Sequence, residues 1–309
     1  MKKVVAVAGP TAVGKTKYSI EIAKAFNGEI VSCDSMQLYK YMDIGSAKPT
    51  EEEQRQVPHH LVDFLDPREE FSVAQYQGLA KAAIDDIFAR DKLPVISGGT
   101  GLYLNSLLYD MDFSSAPEDD SYRRGLEGIA LQKGSEELHR MLADKDFEAA
   151  AEIHPNNKKK IIRALERLNA GEGRIKHFKE LNSETADYDV ILIGLTRDRQ
   201  ELYERINKRV DILIEAGLMD EVRSLMDIGL TQDAISMKGI GYKEIMDYFL
   251  GNCTLEAVID KVKKNTRHYA KKQLTWFRRY DKMKWYNISD FTGEDIALKE
   301  ILTWLEKKT

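Results

Sequence analysis

The segment Gly9-Pro10-Thr11-Ala12-Val13-Gly14-Lys15-Thr16 has the residue types and spacing of a phosphate-binding loop, G-x-x-x-x-G-K-[ST]. Glycines let consecutive backbone N–H groups turn inward on phosphate oxygens, and a helix opening there adds the positive end of its dipole. Lys15 supplies a point charge and Thr16 a hydroxyl able to ligate Mg²⁺. The ligand is expected to carry phosphate, and the default for such a loop is a nucleoside triphosphate used by a kinase or an ATPase. A second group is Asp34, in Val31-Ser32-Cys33-Asp34-Ser35-Met36-Gln37-Leu38-Tyr39. A carboxylate at such a place serves as a metal ligand, a helix N-cap or a base that takes a proton from an attacking nucleophile. The third, Gly98-Gly99-Thr100-Gly101-Leu102-Tyr103, stands where a motor or switch NTPase keeps an acid near its Mg²⁺, and no acid is there.

Each of these strings follows an apolar run of strand length: residues 4–8, 30–33 and 95–97. Helical periods separate the runs. Residues 16–26 keep one apolar face, and Ser72-Val73-Ala74-Gln75 reads as a capping box opening a helix to about residue 90. Strand, turn and helix in alternation predict a parallel α/β sheet, with the turns gathered at the carboxyl ends of the strands where ligands bind. One shared site is the expectation.

From residue 110 to about 189 the pattern changes. An acidic stretch at 114–120 precedes helical segments with no strand until residues 190–193, which reads as a helical insertion. Asp198 and Glu201 fit a helix start, and Tyr203, Ile206, Val210, Leu213, Ile214, Leu218, Val222 and Leu225 keep helical spacing. A long helix is expected over about 254–280, then a strand at 285–288 and a last helix ending near 307.

Bulk properties narrow the class. A chain of 309 residues with 31% charged and 43% hydrophobic residues can bury a full core, and no run is long enough to cross a bilayer. A cytoplasmic protein is expected, since the N-terminal apolar run leads into a glycine loop and not a cleavage site. Cys33 and Cys253 are too few for a disulfide framework or a four-ligand zinc site. Adjacent His59 and His60 point in different directions and lack a third ligand nearby. A net charge of −5 requires any nucleic-acid surface to come from local clusters. Two exist: Lys158, Lys159, Lys160, Arg163, Arg167, Arg174, Lys176 and Lys179; and the run from Lys261 to Lys284, interleaved with Tyr269, Trp276, Phe277 and Tyr280. Each reads equally as a solvated helix face. The same two readings, phosphate contact or solvated charge, stand open for Arg205 and Arg209.

Taken together the strings resemble the tRNA dimethylallyltransferases, also called tRNA isopentenyltransferases, over nearly the whole chain. Besides the phosphate loop and the Asp34 and Gly98 strings, the resemblance rests on residues 43–49 (DIGSAKP), 58–63 (PHHLVD), 153–156 (IHPN), 163–166 (RALE), 239–244 (GIGYKE) and 266–277 (TRHYAKKQLTWF). It implies a P-loop NTPase-like parallel sheet flanked by helices, formed by residues 1–111 and 190–309. The helical insertion, 112–189, is implied to bind the tRNA anticodon stem-loop. The implied reaction transfers a dimethylallyl group from dimethylallyl diphosphate to N6 of the adenosine at tRNA position 37, releasing diphosphate, with Mg²⁺ as cofactor.

Residue by residue, the resemblance implies catalytic roles for Asp34 as general base, Thr100 and Lys15, and diphosphate binding by Gly9, Pro10, Thr11, Ala12, Val13, Gly14, Lys15 and Thr16, with Thr16 on the metal. It implies tRNA contacts by Asp34, Ser35, Met36, Gln37 and Thr100 around an extruded base. Gln37 suits an adenine edge, and Met36 equally well packs. Further implied tRNA contacts are Arg123, beside Arg124, and Lys159, Lys160, Ile161, Ile162 and Arg163. The chain departs from the family where Asn156-Asn157 is followed by lysines in place of Asn-Asp and an arginine, which keeps charge and loses a bidentate fork. The family also includes eukaryotic members with a C-terminal zinc finger; without such a Cys and His cluster the bacterial type is expected, working as a monomer. The rival readings are a transferase acting on free AMP or ATP, a P-loop small-molecule kinase, and a non-catalytic RNA-binding protein.

Overall fold

Strand β1 (Lys3–Ala8) is apolar along almost its whole length because it is covered on both faces, as a strand inside a parallel sheet must be. The computed structural model describes residues 2–111, 120–171 and 184–309. Residues 114–119 of the acidic stretch, and Arg174, Lys176 and Lys179 of the first basic cluster, lie outside the described residues. Around β1 stand β2 (Gly28–Ser32), β3 (His59–His60), β4 (Leu93–Gly98), β5 (Asp189–Thr196) and β6 (Lys284–Asn287). The order is β3-β2-β4-β1-β5-β6, and every neighbouring pair is parallel.

Helices carry the chain between strands. They are α1 (Lys15–Ala25), α2 (Glu51–Gln56), α3 (Val73–Ala89), α4 (Gly101–Leu108), α5 (Asp120–Lys133), α6 (Ser135–Lys145), α7 (Phe147–Glu152), α8 (Lys158–Asn169), α9 (Arg199–Glu215), α10 (Leu218–Asp227), α11 (Tyr242–Phe249), α12 (Leu255–Phe277) and α13 (Glu294–Glu306). The capping box at α3 forms: the Ser72 side chain accepts from the Gln75 amide, and the Gln75 side chain accepts from the Ser72 amide. The helical spacing expected to run on to Leu225 is broken in the structure, because Gly217, at φ 102°, ends α9 and starts α10. This is a P-loop NTPase-like α/β fold.

The chain divides into two compact units, Met1–Leu108 with Thr185–Thr309, and Tyr109–Glu184. The sequence drew these boundaries at 112 and 189. In the structure the Thr185 amide bonds the Leu108 carbonyl, and Tyr109 bridges Glu184. The smaller unit has its own core of Leu126, Leu138, Leu142, Ile161, Ile162 and Leu165, drawn from α5, α6 and α8.

Glu29 on β2 is buried at 1% exposure, and two cations, Arg90 and Lys92, meet it together with the His60 ring. Hydrogen bonds from Arg90 hold its carboxyl down at about 2, against the opposing effect of burial. His60 is thereby committed to Glu29 at 2.7 Å, and His59 Nδ1 lies 2.8 Å from the Val57 carbonyl.

Candidate functional site

The phosphate loop begins where β1 ends and finishes at Gly14, whose φ of 111° turns the chain into α1. Its carbonyls are fastened to side chains. Arg205 Nε donates to the Ala12 carbonyl and Arg197 Nε to that of Val13, both at 3.1 Å, and Lys15 Nζ donates to Pro10 at 2.9 Å. Glu294 fixes both arginines from α13, at 3.5 Å for Arg205. Thr11, Ala12, Gly14, Lys15 and Thr16 line a cavity of about 1220 Å³. Gly9, Pro10 and Val13, expected to bind diphosphate directly, do not line it: Val13 is fully buried in the core, and Pro10 has no N–H to give. Thr11 lines the cavity, but its amide is spent on Gln273 Oε1 at 2.9 Å. Burial lowers Lys15 to about 8, and the Asp34 carboxylate pulls it back up. An anion arriving there meets an ammonium that lacks a full shell of water.

Asp34, Ser35, Met36 and Gln37 line the same cavity. Asp34 Oδ1 accepts from the Met36 amide at 2.9 Å, which fixes the carboxyl group in the turn after β2. Thr100 is joined to the same turn, its Oγ1 accepting from the Ser35 amide at 3.0 Å and donating to Ser35 Oγ at 3.3 Å. Gln37 spends its amide inside the protein: Nε2 donates to the Ala47 carbonyl at 3.1 Å and Oε1 accepts from Ser32 Oγ at 3.2 Å. A two-pronged reading of adenine by Gln37 would have to displace both bonds. Met36 packs against Gly239, where an added Cβ would sit 2.6 Å from its Cε.

Two further features shape the cavity. The loop at 43–48 hangs from α10, since Glu221 accepts from the amides of Asp43, Ile44 and Gly45 at 2.8, 2.7 and 3.0 Å and from the Tyr242 hydroxyl at 2.8 Å. Arg209, on α9, lines the cavity and makes no hydrogen bond or ion pair among the described residues. Burial lowers its guanidinium, with the charges of Asp34 and Glu53 acting the other way. Arg209 is thus left facing the cavity, whereas Arg205 is occupied by the phosphate loop. A signal was present, in that Arg205 and Arg209 are one helical turn apart, but only packing shows which one is left for a ligand.

Within the helical unit, α8 begins with Lys158, Lys159 and Lys160 and has no acid in its first turn. Lys159, Lys160 and Arg163 are exposed. Ile161 and Ile162, expected among the tRNA contacts, are at 0% and 5% exposure in the core of this unit, so their side chains are not available to a nucleic acid. Arg123 is held in a fork by Glu166, at 2.6 and 3.0 Å.

Fold and cavity define a P-loop α/β protein built to hold an anionic phosphorylated ligand beside a carboxylate, with no helix among the described residues long and apolar enough to cross a membrane. A family model described as IPP transferase matches residues 37–280, and one described as isopentenyl transferase matches residues 2–68. The chain is 51% identical over 297 residues to a tRNA dimethylallyltransferase of Alkaliphilus oremlandii, covering 96% of this chain and 95% of that one. It is 47% identical over 306 residues to that of Acetivibrio thermocellus, covering 99% and 98%. Among solved structures it is similar to the full-length tRNA isopentenylpyrophosphate transferase of Bacillus halodurans, with a TM-score of 0.75, 46% identity and coverage of 100% and 97%. It is also similar to a eukaryotic dimethylallyltransferase acting on tRNA, at TM-score 0.85 and 28% identity, covering 97% of this chain and 77% of that one. The chain belongs to the IPP transferase family, whose relatives here are tRNA dimethylallyltransferases.

Proposed function

We propose that this protein transfers a dimethylallyl group from dimethylallyl diphosphate to N6 of the adenosine at position 37 of tRNA, beside the anticodon. The observation that carries the reading is one cavity lined by two cations, Lys15 and Arg209, and by the Asp34 carboxylate, whose charge acts on both. The donor's C–O bond to diphosphate breaks and a C–N6 bond forms. The amine proton passes to Asp34, and the electron pair of the broken bond leaves on diphosphate. Lys15, Arg209 and the amides that open α1 stabilise that growing charge where it develops. Because no bond between phosphates is cut, the acid missing after β4 is not needed. Thr100 keeps Ser35 and, through it, the Asp34 turn in register with the extruded base.

Magnesium fits this site. Thr16 offers a hard hydroxyl oxygen on the cavity wall, and no trio of His, Cys, Asp and Glu forms a separate metal cage among the described residues. Thr16 would hold the ion together with donor phosphate oxygens and water, the ligand set Mg²⁺ prefers. When bound, the ion supplies further neutralisation of the diphosphate. The exposed lysines of α8 would grip phosphates of the anticodon stem-loop, and the protein would act as a cytoplasmic monomer.

The test is transfer of labelled dimethylallyl from its diphosphate, with Mg²⁺, to unmodified tRNA or to free AMP. Label is expected in tRNA alone, and Asp34→Asn should lose ~10²- to 10⁴-fold in rate while still binding tRNA. Label in AMP would move the function to free nucleotides. ATP turnover without label in either acceptor would make the protein a kinase.

A further inference from the structure

Sheet pairing between β1 and β4 ends at Ala8 and Gly98. Past that point the phosphate loop and the Gly99-Thr100 turn run on separately, and among the described residues no backbone hydrogen bond joins them. The link comes from α12. Gln273, at 5% exposure, accepts from the Thr11 amide through Oε1 at 2.9 Å and donates to the Gly99 carbonyl through Nε2 at 3.0 Å. The fit is close on the second side, because a Cβ on residue 99 would come within 2.3 Å of Nε2. One turn earlier on the same helix face, Tyr269 also lines the cavity, its hydroxyl near Thr100 and Gln273. Thr100 in turn holds Ser35, next to Asp34. Gln273 therefore joins the donor loop to Gly99, the residue next to Thr100 on the acceptor turn.

We propose that Gln273 is a positioning residue that couples the two substrates: its planar amide sets the spacing of the phosphate loop and the Thr100 turn, so that filling one side favours filling the other. This inference rests on the functional reading above. The physical cause is that a rigid amide bonded at both ends passes on displacement. A ligand that stiffens one loop then removes part of the ordering cost met by the second. The same spacing sets the approach of N6 to the allylic carbon, where a misplacement of about 1 Å costs on the order of 100-fold in rate.

The experiment measures Kd for inorganic diphosphate, with Mg²⁺, in the absence and presence of an unmodified anticodon stem-loop, alongside steady-state transfer. In the wild type the RNA should tighten diphosphate binding at least ~5-fold. Gln273→Leu, close in size, should bring that ratio near one with each ligand alone bound much as before, and should lower kcat by on the order of 100-fold while the donor KM at saturating tRNA rises only by about the lost coupling factor. Gln273→Glu, which keeps the shape and the bond from the Thr11 amide but loses the donor to Gly99, should reduce the ratio in part and serves as the second variant should Gln273→Leu not fold. A wild-type ratio of one, or a ratio unchanged in a folded variant, overturns the inference and leaves the functional reading standing if transfer to tRNA occurs. A wild type that transfers nothing to tRNA overturns both.

Discussion

Arg209 stands apart from its neighbours on α9 because its guanidinium is the one left for a ligand. Arg205 has the Ala12 carbonyl and Glu294 as partners, while Arg209 faces the cavity with only the more distant charges of Asp34 and Glu53 to balance it. A partly buried guanidinium without a partner gains most when an anion arrives, and charge-assisted bonds to phosphate contribute about 1.5–3 kcal/mol. Arg209→Leu is accordingly expected to raise the KM for dimethylallyl diphosphate by roughly 10- to 100-fold, with Arg209→Lys recovering part because it keeps charge without the fork. A donor KM within twofold of wild type, measured at saturating tRNA, would remove Arg209 from the diphosphate site. The phosphate loop, Asp34 and Thr100 were legible in the sequence because each is a short local string at a strand end. Arg209 was legible only as one of two arginines a helical turn apart with two readings open, and the roles of Gln273 and Glu221 were not legible, since they join the site only through packing of α10 and α12 against it.

At the scale of elements, α8 opens in a way that opposes its own stability. Three lysines sit at the positive end of the helix dipole with no acid among them, an arrangement that costs a few tenths of a kcal/mol or more for each charge. Apolar packing beneath, by Ile161, Ile162 and Leu165, keeps the helix folded all the same. Anionic phosphate placed there would relieve the repulsion. Changing Lys159 and Lys160 together to Glu should therefore act in opposite directions, stabilising the helical unit by about 1 kcal/mol and weakening tRNA binding. The salt dependence of tRNA affinity should fall by about two phosphate contacts. Thermal melts and binding isotherms at several salt concentrations decide it; unchanged tRNA affinity would show that these lysines face solvent only. The central strands and the long helices were readable from apolar period, whereas α2, α4 and α11 were not expected, and two further features escaped. Strand β3 is only His59 and His60, too short and polar to show an alternation, and the break at Gly217 lies inside a run whose apolar spacing continues on both sides of it.

For the molecule as a whole, the meeting of Leu108 with Thr185 matters most. The smaller unit leaves and re-enters the larger one through adjacent residues, so replacing 109–184 with a short Gly-Ser linker should leave a core that melts cooperatively and binds inorganic diphosphate, yet transfers nothing to tRNA. Loss of diphosphate binding in that core would tie the phosphate site to the helical unit. The parallel pairing that makes this division possible also fixes when the protein can finish folding. Lys3 pairs with Asp189, so the strand emerging first from the ribosome waits for a partner made far later. At roughly 5–20 residues per second of synthesis, one edge of β1 stays open for roughly 10–40 s, and the phosphate loop at its end with it. During that interval the nascent chain presents an apolar, unpaired strand, which makes its safe production a matter of shielding by whatever attends translation.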